Sequence, residues 1–387
     1  MTAEQRPALK KKLTALLLLM LIANSAGSAA SKQAMLNAPA SPLDTWVPRS
    51  SGSFSDLHGI AYGNGIFVAA GDGGTLLTSS NGITWENQNA GSSSSLYAIT
   101  CANGKFAAVG DSSTILISSN GISWTAGDAG LTAPLRGMAG GGGVFVAVGG
   151  SLSLASTDGA NWTEGDLGPS AYATGVVYGN HAFVVVGGAS PGFHQLVSSI
   201  STSLDGVAWT RQLSGSLEAL ASVTYGAGQF VAVGAAGDPH CCDRGFIRRS
   251  ENGITWQNAL LPSESGLADL RGVTHGNGIF IAVGDCGDIA SAADGTIWSK
   301  RRSSSTCDPS ALNAVAFGAG TFVAVGAGGA ILQSGPIASL SLRRDVFSEL
   351  TLSGPPGSYR IEYSDHLENA NGWQSLSIFV VSDTASS

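Results

Sequence analysis

The chain lacks any apolar run long enough to cross a bilayer, and it lacks a surplus of basic charge. The run that comes nearest, Leu13 to Ala23, is eleven residues, against the roughly 20 that a membrane helix needs. Lys and Arg number 19 against 27 Asp and Glu, a formal net charge of −8. With no cationic excess to displace counterions, nucleic acid and anionic membrane are poor partners. Charged residues of both signs make up only 12% of the chain. A phosphate-binding glycine loop is also missing, because the glycines close β-hairpins instead of opening a helix. The cations that do occur gather late: Arg244, Arg248, Arg249, Lys300, Arg301 and Arg302. They read either as solvated outer strands or as a local basic patch.

What is abundant is glycine, 54 residues of it, arranged in a repeat. A phenylalanine recurs at Phe67, Phe106, Phe145, Phe183, Phe230, Phe280 and Phe322, at intervals of 39, 39, 38, 47, 50 and 42 residues by subtraction. A period of roughly 40 to 45 residues built from short β-patterned runs signals a propeller blade, one four-stranded sheet per copy. In the first copy the runs are LHGIAY, IFVAA, TLLTSS and TWENQN. They are separated by Gly63-Asn64-Gly65, by GDGG, and by Ser80-Asn81-Gly82. Asn and Gly tolerate the positive φ of tight hairpin turns. Runs such as FVAVG are continuously apolar, as expected of strands covered on both faces.

Tryptophan predicts how the ring closes. Trp85, Trp124, Trp162, Trp209, Trp256 and Trp298 each open a fourth strand, but the seventh copy ends at GAILQSGP with none. Trp46, ahead of the first copy, is left over. The expectation is that residues 44–49 supply the outer strand of the last blade and pair with residues 330–334, which closes the ring between chain ends and removes an open edge.

The recurring S-x-N/D-G-x-x-W after F-V-A-V-G resembles the Asp-box or BNR-like repeats of sialidase-type propellers and of the secreted photosystem II assembly-factor type, over residues 44–334. It is one residue shorter than the usual box. The resemblance implies a seven-bladed propeller in which the box is a structural turn remote from any active site. A sialidase-like activity would call for an arginine cluster. Arg136 and Arg271 occupy equivalent positions in inner strands, but there is no third equivalent arginine and no arginine-isoleucine-proline motif.

The ends differ from the middle. Residues 1–30 carry Arg6 and Lys10 to Lys12, then the apolar run, then Ser28-Ala29-Ala30, the pattern of a secretory signal. Residues 31–43 read as an exposed lead-in, with Pro39 and Pro42 against helix. The propeller is assigned 44–337. Residues 338–387 read as a small β module that either packs on the propeller or is incomplete, since a segment of that size is hard to stabilise alone.

In an up-and-down blade, the connections from second to third strand and from blade to blade share one face, here termed the top. All the length variation falls there, in GGASPGFHQLVSS and GAAGDPHCCDRGF above all, and loops are where function is added to a repeated scaffold. Cys241, Cys242, Cys286 and Cys307 map to this face in blades five and six, and in an exported protein they read as two disulfides. Either Cys286 pairs with Cys307 and Cys241 with Cys242, or the bridges cross. Cys101, in an inner strand, reads as a buried free thiol. A metal site at DPHCCD is disfavoured because adjacent cysteines rarely ligate one zinc together. No metal and no cofactor are expected. Asp72, Asp111 and Asp285 occupy equivalent turn positions, which reads as a turn role. The second residue of each inner strand reads His58, Tyr97, Arg136, Thr174, Ala221, Arg271 and Asn313. It varies where structural positions repeat. His58, Tyr97, Arg136, Arg271 and Asn313 are therefore the candidate ligand-binding residues.

The expectation is an all-β protein, a seven-bladed β-propeller closed by an N-terminal strand, with a small C-terminal β module. Its expected role is that of a secreted monomer, in the periplasm, at the cell surface or outside the cell, binding a protein or glycan non-enzymatically through the top face. The alternative is a sialidase-like glycoside hydrolase or lyase.

Overall fold

The computed structural model describes residues 41–127, 130–168, 171–188, 198–212, 218–235, 245–261, 266–302 and 311–337, and two short strands at 339–342 and 350–353. Seven four-stranded antiparallel sheets follow one another, each ordered from inner to outer strand. Blade 1 is Leu57–Gly63, Ile66–Gly71, Leu76–Ser79 and Glu86–Gln88. The inner strands of the other blades are Leu96–Ala102, Gly137–Gly141, Tyr172–Gly179, Ala219–Gly226, Leu270–Gly276 and Leu312–Gly318. The strands Ser339–Leu342 and Leu350–Ser353 pair as a separate hairpin.

The ring closes as the spare tryptophan predicts. Trp46–Arg49 is the outer strand of blade 7, with Trp46 opposite Ser334 and Arg49 opposite Ile331. Pro48 is tolerated there because an outer strand uses only one of its edges. One correction concerns the lead-in. Leu43 is buried, and its carbonyl accepts the Trp46 indole N–H at 2.9 Å. An apolar side chain three residues before the buried indole packs with it and does not face water. Residues 31–40 lie outside the described residues.

The core lies between blades, not within them. Each of seven apolar clusters joins the facing sheets of two neighbours, as when Ile281 and Val283 of blade 6 meet Phe322 and Ala324 of blade 7. Second strands are covered on both faces, so Phe67, Val68, Ala69 and Ala70 are all fully buried. At the lower end of the inner strands, a glycine admits an aromatic ring of the next blade. A Cβ on Gly179 would stand 2.2 Å from Tyr225 Cγ, and one on Gly318 would stand 2.1 Å from Tyr62 Cγ.

The outer hairpin turn is built identically in most blades. In blade 1, Ser79 Oγ accepts from the Gly82 N–H, Asn81 Oδ1 accepts from the N–H groups of Ile83 and Thr84, and the Trp85 indole donates to the Gly82 carbonyl. The tryptophan stands just before the outer strand and clamps its own turn, a structural role that uses up the repeat's most visible polar atoms.

Candidate functional site at the upper inner rim

Six of the seven inner strands carry a bulge near their start, at the second residue in blades 1, 2, 6 and 7 and at the third in blades 4 and 5. In blade 1 the pairing steps from Leu57 opposite Gly71 to Gly59 opposite Ala70, leaving His58 as the extra residue. The same step leaves out Tyr97, Thr174, Ala221, Arg271 and Asn313. In blade 3 the strand begins at Gly137, and Arg136 just ahead of it donates its N–H to the Val148 carbonyl. A bulge takes one residue off the ladder and re-aims its side chain. The variable position of the repeat is thus the one released from sheet packing.

Three of these residues form a contiguous row over blades 1 to 3. The His58 and Tyr97 rings lie 5.3 Å apart, and the Arg136 guanidinium sits 4.2 Å from the Tyr97 ring centroid, within cation–π range. His58 Nε2 is 2.8 Å from Asp72 Oδ1, and the Tyr97 hydroxyl donates to Asp111 Oδ2 at 3.0 Å. The hydrogen bond from His58 is the main reason the Asp72 carboxyl lies below its ordinary range, against a smaller opposing effect of burial. Burial first, then the bond to Asp111, raises the Tyr97 phenol, so it remains a proton donor at neutral pH. Arg136 is exposed.

The other rim candidates are engaged differently. Arg271 is held by Asp285 through two guanidinium nitrogens, the second at 3.2 Å. The Asn313 amide donates to the Leu57 carbonyl at 2.9 Å, tying blade 7 to blade 1, and the Thr174 hydroxyl donates to the Leu220 carbonyl at 2.9 Å. The structure therefore brings together His58, Tyr97 and Arg136. It leaves Arg271 neutralised in blade 6 and commits Asn313 to the main chain.

The acids are what the sequence reading missed. Asp72, Asp111 and Asp285 do begin single 3-10 turns, and the Asp72 carbonyl accepts from Thr75. That turn role belongs to the backbone, and each carboxylate is free to reach the bulge residue fourteen positions earlier. The signal was available in the spacing. An acid follows His58, Tyr97 and Arg271 at that interval, whereas Thr174, Ala221 and Asn313 are followed by Gly188, Ala235 and Ala327, and Arg136 by Gly150.

The basic residues of blades 5 and 6 form no free patch among the described residues. Arg248 is buried, with a guanidinium nitrogen 3.8 Å from Glu218. Lys300 lies 3.0 Å from the buried Asp288, Arg301 lies 3.1 Å from Asp44, and Arg302 donates to the Gly287 carbonyl. Arg249 donates to Gln257, and Arg244 is outside the described residues. Cys101 is a free, half-buried thiol whose pKa burial raises. Cys286, at φ +55° in the turn that starts with Asp285, is disulfide-bonded. Cys241, Cys242 and Cys307 lie outside the described residues, as do most of the two long connections of blades 4 and 5. Among the described residues no three metal-ligating side chains converge, and no helix is long and apolar enough to cross a membrane.

No protein-family model matches this chain, and no curated protein matches it by sequence. Solved structures match it by fold. YCF48 bound to D1 peptide superposes with a TM-score of 0.58 at 17% identity, covering 77% of this chain and 98% of that one. YCF48 from Cyanidioschyzon merolae gives 0.55 at 15%, covering 75% and 98%. A catalytically inactive virginiamycin B lyase from Staphylococcus aureus with quinupristin gives 0.62 at 10%, covering 76% and 99%.

Proposed function

We propose that this protein is an exported, non-enzymatic platform that binds a protein or glycan at the upper inner rim of its propeller. The observation that carries the reading is the row His58, Tyr97, Arg136. Bulges take His58 and Tyr97 off the β-ladder, Arg136 stands just ahead of its strand, and the three are joined ring to ring and ring to guanidinium on three consecutive blades. Aromatic and arginine side chains presented on a rigid scaffold are the residue types that dominate recognition surfaces. The peptide bound by YCF48, a propeller of the same fold, supports a polypeptide as one kind of ligand. Export rests on the basic, apolar and small-residue order of residues 1–30, and Edman sequencing of the mature protein starting before residue 29 would refute it.

The test is a glycan array together with a displayed-peptide screen, run on wild type and on Tyr97→Ala/Arg136→Ala. The platform reading requires a ligand whose binding the double variant loses. Ligands that bind both proteins equally would place the function elsewhere.

A second reading, a lyase or hydrolase, is favoured by one contact. An imidazole held by a carboxylate, as His58 is by Asp72 at 2.8 Å, has the arrangement of a general base. On that reading a bound ligand is turned over, and His58→Ala abolishes turnover while leaving binding in place. The platform reading predicts no turnover of any ligand found.

A further inference from the structure

Among the described residues Arg136 differs from the other rim cation in pairing with no acid. Arg271 is followed fourteen residues later by Asp285 and is neutralised by it, while Arg136 is followed by Gly150. The neighbouring acids are already engaged, Asp72 by His58 and Asp111 by Tyr97. The guanidinium rests 4.2 Å from the Tyr97 ring centroid on an exposed side chain, and a guanidinium in reach of solvent suits bidentate capture of a carboxylate.

A second feature lies on the same face. Phe54 is 94% exposed, in the connection that enters blade 1, four residues before His58. It is not on a loose loop. Ser51 Oγ donates to the Ser53 carbonyl, Ser53 Oγ accepts from the Ser55 N–H, and Asp56 accepts from Gly328 N–H at 2.7 Å. The Asp56 carbonyl accepts the Asp72 N–H at 2.9 Å, which fixes this connection against the turn that carries the rim carboxylate. A rigidly presented phenylalanine loses little conformational entropy on binding and offers a large apolar anchor.

We infer that the sector running from Phe54 through His58 and Tyr97 to Arg136 binds an extended acidic polypeptide segment, with an apolar side chain of the ligand on Phe54 and a carboxylate on Arg136. Phe54 can stand at most about 14 Å from His58 along the chain, and the two ring steps to Arg136 bring the reach to the order of 20 Å. That is about six residues of extended peptide. Two sources could supply the carboxylate, an Asp or Glu side chain or a free C-terminus. The inference rests on the platform reading and narrows its ligand.

The test uses phage-displayed random dodecapeptides selected on the purified protein, followed by synthetic copies of the enriched peptides, each made with a free and with an amidated C-terminus. Enriched peptides are expected to carry a carboxylate and an apolar residue within about six positions. Arg136→Gln is expected to weaken them about tenfold, Arg136→Lys to recover part of the loss, and Phe54→Ser to weaken them several-fold. Ile254→Ser, on an exposed turn of the opposite face, is expected to leave them unchanged. Amidation that costs as much as Arg136→Gln identifies a C-terminal carboxylate, and amidation without effect identifies a side chain.

Neutral or basic consensus peptides, or equal binding to wild type and Arg136→Gln, overturn the inference while leaving the platform reading standing. An absence of peptides combined with a glycan that Tyr97→Ala loses has the same consequence. An absence of both peptides and glycans overturns the two together.

Discussion

Replacing Trp46 by Ala tests whether the chain ends close this ring. Trp46 is 8% exposed, packs with Leu43, Leu332 and the blade 6 face, and bonds the buried Leu43 carbonyl. Truncating a buried tryptophan costs about 3 to 5 kcal/mol, and a carbonyl stripped of its donor adds about 1 kcal/mol. A loss of about 4 to 6 kcal/mol is therefore expected. Trp85 provides the internal scale, since it occupies the corresponding place in blade 1, is only half-buried, and clamps its own turn at 3.2 Å. Its truncation should cost about 2 kcal/mol, in proportion to the smaller area removed from water. Urea unfolding followed by far-UV circular dichroism would measure both. A Trp46→Ala cost below 1 kcal/mol, or below that of Trp85→Ala, would refute the claim that residues 42–49 are an integral part of blade 7.

Two further predictions use the repeat as its own control. Asp158 and Asp205 occupy the box position that Asn81, Asn120 and Asn252 fill elsewhere, and their carboxyls lie below the usual value of 3.8. For Asp158 the largest cause is the Asn161 N–H, and for Asp205 it is the Val207 N–H. A depressed folded-state pKa means stability fully present above the unfolded value and lost as pH falls through the folded one. Asp158→Asn/Asp205→Asn should flatten the acid limb of the stability profile below about pH 4 and change little at pH 7, as thermal midpoints across pH would show. Gly318→Ala places a methyl against the Tyr62 ring and should cost about 1 to 3 kcal/mol by overpacking. A cycle with Tyr62→Ala should recover much of that cost, and strict additivity would count against the blade-to-blade insertion.

The sequence announced the blades because their makers recur. Phe67 and its counterparts, the Asn-Gly turns and the tryptophans each do one mechanical job per copy, so periodicity exposes them. The displaced Trp46 was informative for the same reason, as a part of the repeat out of place. The rim was only half legible. His58, Tyr97 and Arg136 are noticeable as variation against a constant background, but the bulges that free His58 and Tyr97 are a matter of register, and register is settled by pairing with the next strand. Asp72, Asp111 and Asp285 do hold the turns assigned to them, and that sufficient local explanation hid the second partner each carboxylate has. Only the fourteen-residue spacing to the bulge residue tells them apart. Leu43 was misplaced because proline-rich flanks look exposed until a buried partner three residues on is seen. The cationic cluster dissolved because partners such as Glu218, Asp44 and Asp288 come from separate elements.

The central claim is that recognition occurs at the upper inner rim, and one calorimetric comparison tests it most directly. An enriched peptide or glycan would be titrated into wild type, into Tyr97→Ala/Arg136→Ala, and into Ile83→Ser/Ile122→Ser, which alters exposed residues of the opposite face. The account predicts heat of binding for wild type and the lower-face variant and none for the rim variant at the same concentrations. Binding kept by the rim variant and lost by the lower-face variant would contradict it.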